Sequence, residues 1–349
     1  MSELRINNIT DRAGSNGPII AGVSTVTSTS HMVIPSGPTE MRNSPSEVDL
    51  NGNQKILSSG GRGRAIVFLG ATPSTTTLID AFNTKTAGNA IDFGDASSAR
   101  YNNGHGGCAS ATRGVIADGA LMEYVVFSSG GGSNDFGDHR LMAGGSGAAI
   151  GHAANGVRGL LAGGYIAPAN LSTIDFITIA TTGDSSSFGE FDDGSTGGYS
   201  PMASHTRAVF ARAGQNLNFI NFTSGGKTQI FGDMKGDSRT GHIASCSNAT
   251  RGIMAGGVAP SRVNTITFIT LATLGNGVDF GDLRAPRNDQ DAVSSSTRGF
   301  IVAGANPAKT NRIEFVTIST TGNAKDFGDL TQARTQPSSC SDVHGGLGD

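Results

Sequence analysis

The feature that most constrains this chain is a tripeptide that returns six times. Phe-Gly-acid stands at Phe93-Gly94-Asp95, Phe136-Gly137-Asp138, Phe188-Gly189-Glu190, Phe231-Gly232-Asp233, Phe280-Gly281-Asp282 and Phe327-Gly328-Asp329. The steps between the phenylalanines are 43, 52, 43, 49 and 47 residues. Five residues before each Phe lies another glycine: Gly88, Gly131, Gly183, Gly226, Gly275 and Gly322. A second anchor is an Arg followed by a small residue, at Arg113, Arg158, Arg207, Arg251 and Arg298, with Arg64-Ala65 opening the series. Periods of about 40–50 residues mark one supersecondary unit stacked against its neighbours.

Each unit reads as strands. Residues 251–255 form a short apolar run ending at Gly256-Gly257, and residues 265–272 form a second. A tight turn follows, with a Gly to supply the positive φ that hairpin turns require. A third strand carries Phe-Gly-acid. A polar fourth stretch comes next, with Arg100, Arg239, Arg287 or Arg334 near its start. The second run is apolar on both faces, as in a strand sandwiched between layers. Four strands in a unit of this length is the size of a β-propeller blade.

Residues 62–349 divide into six units of 48. Residues 340–347 align with 246–253, so the chain ends as a seventh copy of the first strand would begin. That predicts a ring closed by pairing between the C-terminal residues and residues 62–70, which removes exposed edges. The coils of an open β-solenoid are usually much shorter. The expected fold is all-β: a six-bladed propeller over 56–349, preceded by an extended arm over 1–55.

Composition narrows the remaining choices. Glycine accounts for 52 of 349 residues and charged residues for 15%. Such a chain is poor in helix formers and rich in turn formers, which rules out a helical bundle. The glycines keep no period of three, so collagen is excluded. A net charge of −3 gives no basic footprint for nucleic acid. No apolar run reaches the length of a membrane helix, and residues 1–12 lack the apolar stretch of a secretory signal. Cys108, Cys246 and Cys340 form no CxxC pair. Each stands five before the repeat Arg or its equivalent, a slot that elsewhere holds Ser59, Ala153, Met202 and Val293. That is a packing position.

The recurring acids read as structural. A catalytic pair needs unlike positions that converge once, whereas a position filled in every unit makes the same bond each time. Their expected role is to accept from turn N–H groups or from a repeat Arg. The repeat Arg residues read as buried or inter-blade hydrogen-bonding groups. His105, His152, His205, His242 and His344 share no register and have no metal spacing, so they read as surface or loop residues. Gly130-Gly131-Gly132 is a hairpin turn and not a phosphate loop. Asp192-Asp193-Gly194 lacks the EF-hand pattern. No catalytic residue, metal or cofactor is expected.

The unit resembles the kelch motif on Ala255-Gly256-Gly257, the apolar run 265–272, Phe280 and Arg287, with Phe-Gly-Asp where that family has Trp. The wording of the repeats is similar to a group encoded by tailed bacteriophages, particularly of marine cyanobacteria. The resemblance covers about residues 60–349. Residues 1–55, with Gly14–Pro18 and Ile34-Pro35-Ser36-Gly37, look like the N-terminal segment of phage tail-fibre and appendage proteins. It implies a structural protein of the virion, oligomeric within the particle. The arm would bind other virion proteins and the propeller would face a host surface glycan or protein. Two rival readings are a surface-polysaccharide depolymerase, which needs a singular acidic pair in a cleft, and a cellular kelch-type interaction module.

Overall fold

The computed structural model describes residues 63–100, 106–141, 150–166, 168–192, 199–211, 216–234, 239, 243–343 and 347. The proposed arm, residues 1–55, lies outside them. Every element among the described residues is a strand. Six antiparallel sheets of four strands, two of them extended by a two-residue strand, form a six-bladed propeller. Blade 5 shows the plan: inner strand Ala244–Ser247, then Arg251–Ala255, Thr265–Thr270 and outer strand Val278–Asp282.

The blade and the sequence unit are out of phase by one strand. Phe-Gly-acid lies on the outermost strand. The polar stretch after it crosses to the axis and becomes the inner strand of the next blade. Blade 1 therefore has to borrow its inner strand from the far end of the chain. Ser338–Ser341 pairs antiparallel with Arg64–Phe68, in the register Ala65↔Ser341, Ile66↔Cys340 and Phe68↔Ser338. This is the predicted closure, with one correction. Cys340 fills the packing slot of blade 1, because Ile66↔Cys340 repeats the Ile253↔Cys246 pairing of blade 5; Ser59, expected there, lies outside the described residues.

The core lies between blades rather than within them. Six buried apolar clusters each join two neighbours. One holds Ile66, Ile79 and Phe93 of blade 1 with Ile116, Val125 and Phe127 of blade 2. The last holds Phe300, Ile313 and Phe327 of blade 6 with Val67 and Phe82 of blade 1. This explains second-run strands that are apolar on both faces: each face belongs to a different cluster.

Candidate functional site

The recurring residues are accounted for by blade junctions. The rings of Phe93, Phe136, Phe231, Phe280 and Phe327 are buried, and each sits in a junction cluster. Phe188 is only half-buried, set edge-on to Phe176 at 5.8 Å. The Phe carbonyl accepts from the turn glycine of the next blade, as in Gly131→Phe93 (2.8 Å), Gly183→Phe136 (2.7 Å) and Gly88→Phe327 (3.0 Å). The motif glycine leaves room for that turn. A Cβ on Gly94 would stand 2.2 Å from the Gly131 carbonyl oxygen, and one on Gly328 2.2 Å from that of Gly88.

The expectation for the motif acids needs correction. Asp95, Asp138, Glu190 and Asp233 are exposed, and none binds a repeat Arg. Asp95 accepts from the Thr77 hydroxyl (2.7 Å). The recurring bond belongs to the acid's backbone. Its N–H donates to an Asn or Asp side chain just past the next blade's turn: Asp138 to Asp184, Asp233 to Asn276, Asp282 to Asn323 and Asp329 to Asn89, at 2.9–3.0 Å. The turn N–H groups donate to the acid's main-chain carbonyl instead of its carboxylate, as in Ser133→Asp95 and Ser185→Asp138 (2.9 and 3.0 Å).

The repeat Arg residues lie across the same junctions. Arg113, Arg158, Arg207, Arg251 and Arg298 stack over Tyr124, Phe176, Phe219, Phe268 and Phe315, 4.4–5.1 Å from the ring centres. Each also donates to a carbonyl of the next blade: Arg113 to Ala180, Arg158 to Phe222, Arg207 to Leu271, Arg251 to Ile318 and Arg298 to Lys85. In blade 1 the pairing Ile66↔Ala81 puts Ala81 where Phe300↔Phe315 puts Phe315 in blade 6.

A third junction device escaped the sequence reading. At one register of the strand next to the outer one stand Asp80, Glu123, Asp175, Asn218, Thr267 and Glu314, all buried. The segment crossing from the preceding blade brings a cation to most of them. Arg334 pairs with Asp80 at 2.7 Å and Arg287 with Glu314 at 3.4 Å, Arg140 meets Asp175 at 2.8 Å, and Arg100 meets Glu123. Arg239 reaches the Thr267 hydroxyl at 3.4 Å. Burial lowers the pKa of Arg334 and Arg287, and the adjacent carboxylates oppose that shift. The signal was present as one acid inside an apolar run, in Ile-Asp-Phe, Met-Glu-Tyr and Ile-Glu-Phe.

The axis is closed by small residues. Serine hydroxyls link inner strands blade to blade: Ser341 to the Ser294 carbonyl (2.7 Å), Ser294 to Ser247 (2.6 Å) and Ser247 to Ala203 (2.9 Å). His152 lies on this wall, buried, its Nε2 accepting from the Ala117 N–H (3.1 Å). It is not a surface residue; His205 is exposed, and His105, His242 and His344 lie outside the described residues. The axial cavity measures about 50 Å³, room for a few waters but not for a sugar ring. The three cysteines are free and buried. Cys340, Cys108 and Cys246 press against Gly114, Gly159 and Gly299, where a Cβ would come within 2.5–2.7 Å of sulfur. Burial raises all three thiols.

What remains is singular. Asp118 occurs in blade 2 alone, with Arg100 3.6 Å away and Glu123 beyond it. Burial pushes its carboxyl up to about 7, Arg100 opposes the rise and Glu123 adds to it. Here a carboxyl outside the repeat slots lies beside a second acid, and Arg100 clamps both. Among the described residues, no group of three His, Cys, Asp or Glu is placed to hold a metal ion.

The two faces differ. From inner to second strand, the turns of blades 2–6 are all three residues long. In each, a Ser or Asn side chain caps the repeat Arg N–H: Ser110, Asn155, Ser204, Asn248 and Ser295. On the opposite face, the next connection has two residues in blade 2, nine in blades 3 and 5 and four in blade 6. Blade 3 uses its nine for a small hairpin, Tyr165–Ile166 with Ala169–Asn170. No known protein-family model matches the chain, and no curated protein matches it.

Proposed function

We propose that this chain is a structural and adhesive component of a tailed-phage particle, its propeller presenting the variable-loop face to a host surface glycan or a neighbouring protein. The carrying observation is the contrast between faces. One is built from a single capped three-residue turn; the other carries connections of unrelated length on the same frame. Rigid scaffolds place binding function on such loops. The resemblance of the repeat supports the virion setting, and the fold itself is compatible with many functions. The depolymerase reading is disfavoured by Asp118 and Glu123, which are held by Arg100 at a packed junction.

Two measurements test the proposal. Mass spectrometry of purified particles should find the chain, and its absence would refute the virion role. Replacing the connections 164–172 and 256–264 by a two-residue turn should abolish adhesion to host cells. Adhesion unchanged by both replacements would refute the binding face.

A further inference from the structure

At the seam between blades 6 and 1, on the uniform face, the repeat breaks at two adjacent positions. Four residues before the turn glycine, blades 2–6 carry Phe127, Ile179, Phe222, Leu271 and Ile318, all buried. In each, the backbone N–H donates to the carbonyl of the residue before the repeat Arg, as in Ile318→Thr297 at 2.9 Å. In blade 1 the same bond runs from Thr84 to Gly63 at 2.7 Å. The side chain there is a threonine, whose hydroxyl turns back to the same carbonyl at 3.1 Å. The apolar side chain that stands at this position in blades 2–6 is absent from blade 1, and the apolar lining here comes from the buried Val343 instead. The following position is Ser128, Ala180, Thr223, Ala272 or Ser319 elsewhere and Lys85 here.

A pocket of about 380 Å³ lies at this place, lined chiefly by Gly63, Thr84, Lys85, Ser296, Thr297 and Arg298. That volume is in the range of small-ligand sites. Two cations serve it. Lys85 is exposed at its rim, and Arg298 is fixed there by its bonds to the Thr84 and Lys85 carbonyls (3.4 and 3.2 Å). The neighbouring carboxyl, Asp342, accepts from the Gly63 and Arg64 N–H groups (2.7 and 3.0 Å) and interacts with the Lys85 charge, so it offsets part of the positive field there. Hydroxyls of Ser296 and Thr297 supply neutral donors and acceptors.

We propose that this seam pocket binds a small oxyanion on a polyhydroxyl frame, a sugar acid or a sugar phosphate, with Lys85 and Arg298 holding the anion. The site is independent of the loop face, because it opens on the opposite side of the ring.

Titration calorimetry of the full chain with glucuronate, glucose 6-phosphate, glucose and inorganic phosphate tests it. Binding of either sugar anion without binding of glucose is expected, and which anion binds identifies the carboxylate or the phosphate source. Lys85→Ser, the residue of blade 6, should weaken binding at least tenfold. Thr84→Ile should refill the pocket, abolish binding and leave the melting temperature no lower. Lys85 is exposed, so its variant reads out even if Thr84→Ile misfolds. Failure of both sugar anions to bind overturns the proposal, as does wild-type affinity in the Lys85→Ser protein. Inorganic phosphate binding as tightly as the sugar phosphate overturns the polyhydroxyl part.

Discussion

At Gly137 a methyl group would meet the Gly183 carbonyl at 2.5 Å, and that carbonyl belongs to the backbone of another blade. Backbone cannot rotate aside as a side chain does. Gly137→Ala should therefore cost about 1–3 kcal/mol, the usual penalty for overpacking, in a denaturant titration. Asp138, the next residue, is exposed, and its junction bond is made by its backbone N–H. Asp138→Ala should stay within about 0.5 kcal/mol of the parent. The two adjacent variants separate the motif's packing from its charge. Asp118 makes a different residue-scale prediction. Its carboxyl titrates near 7 in the folded chain, against about 3.9 for an ordinary aspartate. The folded state thus holds the proton more tightly, so this group stabilises the fold most at low pH. Its contribution fades as pH rises from about 4 to 7. Asp118→Asn should flatten that part of the stability profile and raise the melting temperature at pH 8 relative to the parent. A parent and variant with parallel profiles would remove Asp118 from the account.

For the strands, what the sequence makes legible is whatever repeats as a side chain with a single possible use. The phenylalanines could only be core, and the turn glycines could only be turns. Phe280, 2% exposed in the cluster of blades 5 and 6, should lose about 3–5 kcal/mol on change to Ala. Phe188 is half-buried beside Phe176, so Phe188→Ala should cost measurably less, and equal losses would contradict the difference in burial. The phase of the repeat was not legible. A chain of identical units does not mark which strand lies at the axis; that depends on where the crossing segment turns inward. The buried acids were missed for a related reason. Asp175 sits between Ile174 and Phe176, and the run reads as apolar unless its cation is known. That cation comes from the preceding unit's crossing segment, where Arg100, Arg287 and Arg334 stand seven residues after their Phe, Arg239 eight and Arg140 four. Acid and cation belong to different units, so their separation along the chain varies, 23 residues for Arg100 and Glu123 and 35 for Arg140 and Asp175.

Around the whole ring every junction device points the same way. Phe carbonyls accept from the following blade, repeat arginines reach into it, and crossing arginines meet its buried acids. The seam between blades 6 and 1 uses all three, through Gly88→Phe327, Arg298→Lys85 and Arg334–Asp80. It also has the closing strand, which ties blade 1 to the chain's other end. Ser339 donates to Asp291 of blade 6 at 2.6 Å, and Ser341 to the Ser294 carbonyl. Without Ser338–Ser341, all five buried residues of Arg64–Phe68 would become an open edge. A protein ending at Pro337 should therefore lose its sharp thermal transition or melt well below the full chain. The edge left behind has a defined register, so a peptide of residues 336–343 added in trans should pair with it and recover part of the lost melting temperature. A shuffled peptide should not. If the truncated protein melts like the parent, the side-chain links across the seam suffice to hold the ring. If it melts low and the peptide gives no rescue, what the closing strand contributes is its covalent tether rather than its pairing.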